Sequence, residues 1–349
     1  MNDSGIEGAA GLIAGARAEL GRRVVGQAEM IDGLLLALIA GGHILLEGVP
    51  GLAKTLAVKA LAEITALEFK RIQFTPDLLP ADITGTLVWD QGTGKFSVRR
   101  GPVFANVILA DEINRAPAKV QSALLEAMEE GQVTIGEGTY PLPDPFLVLA
   151  TENPIEHEGT YALPEAQLDR FLVKLLVRYP APDEEIRIVE SNAGPPAGES
   201  RAYRTGPALS PVLGAGALAR LRAVSETVRV DPRITSYLVS LIAATRPAAA
   251  SRGAGGAAAA GNSAPGHGAS SGLYRYIAFG ASPRASIALY RCARISALFE
   301  GRDYVTPSDV KNAAFPVLRH RIVMSYEADA DGLDADAVIG RILSLVPVP

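Results

Sequence analysis

The chain has 349 residues, of which 48% are hydrophobic, and this is enough for two domains with a substantial core. Its formal net charge of −5 at pH 7 provides no overall basic field for binding nucleic acid, although a local channel could still be basic. The single cysteine, Cys292, excludes an intrachain disulfide framework and a cysteine-cluster metal site, and the four histidines have no metal-ligand spacing.

Residues 1–22 are predicted to form an N-terminal helix. The apolar stretch from Leu34 to Leu46 is interrupted by Gly-Gly-His, so it predicts a helix and a strand rather than a membrane span. Asp3 and Glu7 do not fit the pattern of a signal peptide. We therefore expect a cytoplasmic protein.

A phosphate-binding loop is predicted from Gly48 to Thr55, with the sequence Gly-Val-Pro-Gly-Leu-Ala-Lys-Thr. It follows the apolar run Ile44 to Leu46 and precedes a helical pattern, so it joins a strand to a helix N-terminus. In such a loop the backbone N–H groups surround the phosphates, the lysine supplies positive charge and the threonine hydroxyl binds Mg²⁺. Ala53 stands where the motif usually has glycine, which makes the pattern alone less specific.

Residues 23–180 are predicted to form a three-layer α/β domain with a mostly parallel sheet, because short apolar runs alternate with helical patterns such as Lys119 to Glu130. The strand-like runs are Phe69 to Phe74, Val107 to Ala110, Leu147 to Ala150 and Phe171 to Val177. Two hairpins, near residues 86–99 and 133–142, interrupt the alternation. They either project toward a pore or a partner, or they extend the sheet.

Two carboxylates, Asp111 and Glu112, follow the buried strand pattern at Val107 to Ala110. Because side chains alternate along a strand, neighbouring carboxylates at its end diverge and can take different roles. Beside a phosphate-binding loop, Asp111 would hold the Mg²⁺ shell and Glu112 would polarise the attacking water. The alternative is a strand followed by an acidic helix cap.

Two further polar groups lie at the edges of later strands. Asn153 follows the strand at Leu147 to Ala150, and its amide can hold both a water and a phosphate oxygen. Arg170 ends a polar helical segment just before the strand at Phe171. Each could instead be a cap, a salt bridge or part of a solvated face, and their joint order along the chain favours a functional role.

The pattern changes after Tyr179, where prolines and glycines predict a linker over residues 181–204. Residues 205–349 are predicted to form a smaller helical domain. Within it, residues 247–272 are almost entirely Ala, Gly, Ser and Pro, which predicts a flexible insertion.

Three helix starts are predicted in this second domain, at Asp231-Pro232, Ser282-Pro283 and Thr306-Pro307. Arg284 lies in the first turn of the second helix, where the helix dipole disfavours a cation, so a specific role is indicated. Cys292 lies in an apolar part of the same helix and is expected to be inert core.

Several motifs together resemble the MoxR family of AAA+ ATPases. They are Val25-Gly26-Gln27, Gly48 to Thr55 with Ala53, Arg71 to Pro80, Gly101-Pro102, Ala110 to Ala116, Leu163 to Phe171 and Gly280 to Arg284. The resemblance runs from about residue 22 to 325, and Ala53 is itself similar to what this family carries. Two departures are Glu152, where the family more often has Gln, and the length of the 247–272 insertion.

The resemblance implies an α/β P-loop AAA+ domain with a small C-terminal helical lid, which binds ATP and Mg²⁺ and assembles into a homo-oligomer, expected to be a hexameric ring. It implies that Thr55 and Asp111 serve the metal, that Glu112 activates water, and that Asn153 is sensor 1. Arg170 is similar to an arginine finger that acts on the adjacent subunit, and Arg284 to the sensor 2 arginine. The implied nucleotide-contacting residues are Val25, Gly26, Gly48, Val49, Pro50, Gly51, Leu52, Ala53, Lys54, Thr55 and Leu56.

The function that the resemblance implies is ATP hydrolysis coupled to chaperone-like remodelling or maturation of protein complexes, with client proteins and von Willebrand factor A domain proteins as partners. One alternative is a nucleic-acid-associated motor, supported locally by Lys95, Arg99 and Arg100. Against it, the hairpin at 133–142 carries Glu137 and no Lys or Arg. Another alternative is a nucleotide-gated scaffold that hydrolyses slowly.

Overall fold

The computed structural model describes residues 3–49, 51–92, 94–153, 160–192, 208–247 and 271–349. Pro50, residues 193–204 of the predicted linker and residues 248–270 of the predicted insertion lie outside these ranges. Among the helices of the described ranges, none has the length and apolar character needed to cross a membrane.

The chain divides into two compact units, residues 1–224 and residues 225–349. The division falls later than residue 205, where the second domain was predicted to begin. The reason is that the chain after residue 208 bonds to the first unit: the Leu213 N–H donates to the Ile64 carbonyl at 2.8 Å, and Arg222 donates to the Leu38 carbonyl at 3.1 Å.

The first unit alternates helices and strands. In chain order its elements are α1 (Asp3–Gly21), α2 (Ala28–Ala40), β1 (His43–Glu47), α3 (Lys54–Thr65), β2 (Phe69–Gln73), α4 (Pro80–Thr84), β3 (Gly85–Asp90), β4 (Lys95–Arg100), β5 (Val107–Asp111), a 3₁₀ turn (Ile113–Arg115), α5 (Ala118–Glu130), β6 (Gln132–Ile135), β7 (Gly138–Pro141), β8 (Leu147–Glu152), α6 (Glu165–Leu168), β9 (Phe171–Leu176), α7 (Pro182–Asn192) and α8 (Ala215–Thr227), within which the units divide.

The central sheet has five strands in the order β2-β5-β8-β1-β9, and every neighbouring pair is parallel. This confirms the predicted α/β fold with a parallel sheet. The middle strands are buried along almost their whole length, as expected for strands covered on both faces. Since parallel strands end at the same edge, the residues after β1, β5 and β8 are brought together, and that edge is where open α/β sheets bind ligands.

The two hairpins lie at the predicted places, where β3 pairs antiparallel with β4, and β6 with β7. Within the described residues each hairpin is a separate two-stranded sheet, so neither extends the central sheet. The two hairpins are in contact, because a methyl group placed on Gly136 would come within 2.6 Å of Leu87 Cδ1. Trp89 and Phe96 form an exposed edge-to-face pair across β3 and β4, with ring centroids 5.0 Å apart.

The segment predicted as a linker contains helix α7, which begins at Pro182. The proline that we interpreted as a break is tolerated there because the first helical turn does not need its N–H. Asp183, Glu184 and Glu185 follow in that turn, where negative charge complements the helix dipole. Residues 182–192 of the predicted linker are therefore helical.

The second unit is mainly helical. Its elements are α9 (Pro232–Ala244), α10 (Ser271–Tyr274), β10 (Ile277–Phe279), α11 (Pro283–Phe299), α12 (Pro307–Leu318), β11 (Val323–Met324), α13 (Tyr326–Ala330) and α14 (Ala335–Leu345). All three predicted helix starts are present, and the short antiparallel pair of β10 and β11 was not predicted. Cys292 is fully buried in α11, and burial raises the pKa of its thiol to about 12, so it is not a reactive thiol.

The start of α12 is held by Asp309, which is 3% exposed. Its carboxylate accepts hydrogen bonds from both terminal nitrogens of Arg302, at 2.6 and 2.8 Å, and from the N–H and hydroxyl of Thr306, both at 2.7 Å. Burial alone would raise the pKa of Asp309, but these hydrogen bonds outweigh it and leave the pKa below its ordinary value.

We expect Asp309→Asn to destabilise the second unit by about 2–4 kcal/mol at pH 7, because Arg302 loses a buried anionic partner. The wild-type carboxylate has a lower pKa folded than unfolded. Its contribution is therefore complete above the unfolded pKa, about 3.9, and is lost as the pH falls through the folded value. Urea unfolding at pH 7 and near pH 3, followed by hydrogen exchange of α12, measures both effects.

The matched control is Asp303→Asn, since Asp303 forms a more exposed ion pair with Arg229 at 2.8 Å. This substitution should lower the free energy of unfolding by less than about 1 kcal/mol. The stabilising role of the Asp309 carboxylate would be contradicted if both substitutions lowered the free energy of unfolding equally. It would also be contradicted if the loss caused by Asp309→Asn were as large near pH 3 as at pH 7.

Candidate nucleotide-binding site

A cleft of about 420 Å³ opens at the edge of the sheet where β1, β5 and β8 end. Its lining brings together the phosphate-loop residues and the carboxylates that the sequence singled out. The lining residues are Gly51, Ala53, Lys54, Thr55, Leu56, Arg71, Asp111, Glu112, Thr151 and Asn153.

Lys54 and Thr55 are the first two residues of α3, as the loop motif predicts. The Lys54 ammonium donates a hydrogen bond to the Gly48 carbonyl at 2.5 Å. Burial lowers the pKa of Lys54, and attraction from Asp111, Glu112 and Glu47 opposes that shift. The helix N-terminus and this ammonium provide positive potential at one wall of the cleft.

The loop backbone explains its small residues. Gly51 has φ +89°, and Ala53 has φ +58°, in the left-handed region that favours glycine. A methyl group on Gly48 would lie 2.7 Å from the Val177 carbonyl oxygen, so only glycine fits there. Ala53 therefore stores a modest strain of about 1–2 kcal/mol in the phosphate loop.

The two carboxylates stand on consecutive residues with different backbone conformations. Asp111 ends β5, and Glu112 follows in a left-handed conformation with φ +57°. Thr151, at the end of β8, donates its hydroxyl to Asp111 Oδ1 at 2.7 Å and accepts the Glu112 N–H at 2.8 Å. Sequence reasoning missed Thr151, because its position beside Asp111 depends on the pairing of β8 with β5.

Strand β2 contributes two more residues that we had not assigned a role. Arg71 donates to Asp111 Oδ2 through Nε at 2.9 Å and through Nη2 at 2.5 Å. Gln73 accepts from Arg71 Nη2 at 2.6 Å and donates to Glu112 Oε2 at 2.8 Å. Arg115 also pairs with Glu112, at 3.2 Å. Both carboxylates are therefore held by side chains of neighbouring strands and turns.

Asn153 is 6% exposed and lines the cleft, where its amide can face a bound nucleotide. The preceding Glu152 is not among the residues that line the cleft. It lies beside Glu47 on the neighbouring strand, and Lys174 is ion-paired with Glu47. Burial raises the pKa of Glu152, with Lys174 opposing that shift and Glu47 adding to it.

Within the first unit, several described residues that were predicted to belong to the site are not among those that line the cleft: Val25, Gly26, Gly48, Val49, Leu52 and Arg170. Arg170 lies against α5, where it donates to the Leu125 carbonyl at 2.5 Å and pairs with Glu129 at 2.9 Å. Val25 and Gly26 lie in the turn between α1 and α2, and Gly26 has φ +73°. Arg284 is in the first turn of α11 in the second unit, where its N–H donates to the Ser282 hydroxyl at 3.2 Å.

The residues at the cleft fit Mg²⁺ and a nucleoside triphosphate. Oxygen donors from Thr55 and Asp111 are the ligands that Mg²⁺ prefers, and it commonly binds through one or two such groups plus phosphates. The Lys54 ammonium and the N-terminus of α3 place positive charge and backbone N–H groups at the cleft, which is the environment that favours polyphosphate.

The parallel sheet, the phosphate loop after β1, the acidic pair after β5 and the separate helical unit define a protein of the AAA+ ATPase class. The family model described as "ATPase family associated with various cellular activities (AAA)" matches residues 43–173, and the AAA lid domain model matches residues 274–342. Within that class the chain belongs to the MoxR family, as its relatives show.

Chaperone MoxR1 of Mycobacterium tuberculosis is 46% identical over 334 residues, which cover 95% of this chain and 81% of that protein. Protein MoxR of Paracoccus denitrificans is 33% identical over 96% of this chain and 95% of its own. A crystal structure of an inferred ATPase from Cytophaga hutchinsonii matches with a TM-score of 0.84 and 44% identity, and the match covers 99% of this chain and 97% of that one. The predicted family and fold are thereby confirmed.

Proposed function

We propose that this protein hydrolyses ATP with Mg²⁺ and uses the cycle for chaperone-like remodelling or maturation of protein complexes. The observation that carries the hydrolytic part is the convergence of Lys54, Thr55, Asp111 and Glu112 on one cleft. The chaperone part is supported by the name of the relative in Mycobacterium tuberculosis.

Each residue has a distinct role in this proposal. Lys54 binds the phosphates with the backbone of the loop, and Thr55 and Asp111 hold the metal, which neutralises phosphate charge when it is bound. Glu112 accepts a hydrogen bond from the attacking water and polarises it, while Asn153 orients that water against a phosphate oxygen. The protein need not form a covalent bond to the substrate, because positioning and electrostatic stabilisation provide most of the rate enhancement in phosphoryl transfer.

Two arginines complete the proposed machinery. Arg170 acts as an arginine finger on the nucleotide of an adjacent subunit, which fits its position away from the cleft of its own first unit. Arg284 acts from the lid of the same chain as the sensor 2 arginine. Val25, Gly26 and the loop residues 48–56 contact the nucleotide. The assembly is a homo-oligomer, proposed as a hexameric ring in the cytoplasm.

We propose that the client contacts the hairpin of β3 and β4, where the exposed rings of Trp89 and Phe96 provide apolar surface. Proteins with von Willebrand factor A domains are the proposed partners.

The alternative of a nucleic-acid motor is favoured by Lys95, Arg99 and Arg100 on β4. DNA affinity that falls steeply with salt would support it, and partner binding that needs ATP but no turnover would support a slow scaffold.

The proposal is tested by measuring steady-state ATPase activity against protein concentration with Mg²⁺, together with oligomer size. Specific activity should rise as subunits assemble, because each site needs an arginine from its neighbour. Activity that is independent of concentration over a range in which the oligomer dissociates would contradict catalysis in trans.

A further inference from the structure

Arg71 lines the cleft beside Asp111 and is ion-paired with it. It lies on β2, the edge strand of the sheet, and its backbone pairs with Leu109, while Gln73 pairs with Asp111. The side chain therefore runs along the strand direction to the carboxyl end of the sheet. There its guanidinium lines the same cleft as Lys54.

The hydrogen bonds to Asp111 leave little of its carboxylate available. Oδ2 accepts two bonds from Arg71, at 2.5 and 2.9 Å, and Oδ1 accepts the Thr151 hydroxyl at 2.7 Å. A carboxylate has about four lone-pair positions, so about three are taken. A cation that approaches Oδ2 must therefore displace the guanidinium.

The exposure of the pair makes this displacement easy. The Arg71 side chain is 48% exposed and that of Asp111 is 14% exposed. A partly exposed ion pair of this kind shifts an equilibrium by no more than about fivefold, which is little against the attraction of a divalent cation delivered with a triphosphate.

We propose that Arg71 is an exchangeable counter-ion of Asp111, which holds the carboxylate in the nucleotide-free cleft and competes with Mg²⁺ for Oδ2. Asp111 is then paired with a cation both before and after nucleotide binding, and Arg71 lowers the affinity of the cleft for Mg²⁺ alone. The inference rests on the proposed function, because it takes Asp111 as the residue that serves the metal.

The test measures the free Mg²⁺ concentration at which binding of a fluorescent, non-hydrolysable ATP analogue is half-enhanced, by anisotropy in EDTA-buffered Mg²⁺. Removing the competing charge with Arg71→Gln should lower this midpoint by about two- to fivefold. A midpoint that is unchanged or raised would overturn the inference, and a raised midpoint would mean that Arg71 positions Asp111 for the metal.

Matched controls separate the possible causes. Lys70→Gln removes a positive charge from the preceding residue of β2, where Lys70 pairs with Glu68 at 3.4 Å, and it should leave the midpoint unchanged. Arg71→Met is the second neutral variant in case Arg71→Gln lowers the folded population, and it must shift the midpoint in the same direction. A shift in the opposite direction would also overturn the inference.

Failure of the proposed function is distinguishable from failure of the inference. Lys54→Ala should abolish binding of the analogue at every Mg²⁺ concentration. If the wild type shows no binding that depends on Lys54, the nucleotide site itself is wrong. If that binding is present and only the Arg71 variants fail to shift the midpoint, the exchange is wrong and the site stands.

Discussion

Glu112→Gln is expected to reduce ATP turnover by about 10²- to 10⁴-fold while ATP affinity stays within about threefold of wild type. The amide keeps the size of the side chain but cannot accept the water proton. The neighbouring Asp111 and Lys54 are unchanged by the substitution. Steady-state phosphate release gives the turnover, and anisotropy of a fluorescent ATP analogue gives the affinity.

The local contacts of Glu112 should keep the side chain in place in the Glu112→Gln variant. Its backbone is held by Thr151 and its carboxylate accepts from Gln73, so the Gln side chain has partners in nearly the same place. Glu126→Gln, on the exposed face of α5, is the control and should turn over as wild type does. Loss of ATP binding in Glu112→Gln, or turnover within about threefold of wild type, would remove Glu112 from the role of base.

Arg170→Ala is expected to lose about 10³- to 10⁵-fold in turnover, the range for removal of an arginine finger. The side chain supplies positive charge to the phosphoryl group in the transition state, and on this proposal it supplies it to the neighbouring subunit. The measurement is steady-state ATPase activity at a concentration where oligomer size equals that of wild type. Arg187→Ala, an exposed arginine of α7, is the control.

A competing explanation is that Arg170 only fastens β9 to α5, through the Leu125 carbonyl and Glu129. Mixing Arg170→Ala with Glu112→Gln subunits distinguishes the two. A trans arrangement creates intact sites wherever a subunit with Glu112 meets a neighbour with Arg170, so the mixture should regain activity that neither variant has alone. If the mixture is as inactive as each variant alone, a purely structural role of Arg170 in holding β9 against α5 is favoured.

Much of the candidate site could be predicted because its residues lie in short, continuous segments of the sequence. The loop from Gly48 to Thr55 and the pair Asp111-Glu112 each come directly after an apolar strand, and parallel strands bring their carboxyl ends to one edge of the sheet. The helix starts at Asp231, Ser282 and Thr306 were likewise local, because proline and a capping side chain act within one turn.

The rest depended on pairing between strands that are distant in sequence. Arg71 and Gln73 stand on one face of β2 by simple alternation, but only the β2–β5 register shows that they hold Asp111 and Glu112. Thr151 needed the β5–β8 register in the same way. Helix α7 was missed for another reason, since Pro182 was interpreted as a break although proline is favoured at a helix start.

The contact between Leu87 and Gly136 has a mechanical consequence. Because the Leu87 side chain packs directly on Gly136, we expect a displacement of β3 toward the second hairpin to move the turn between β6 and β7. That second hairpin lies in the chain between α5 and β8, and β8 carries Thr151 and leads to Asn153. If a client binds the first hairpin as we propose, we expect force on that hairpin to reach Thr151 and Asn153 through the second hairpin and β8, so that client binding and ATP hydrolysis would be coupled within one subunit.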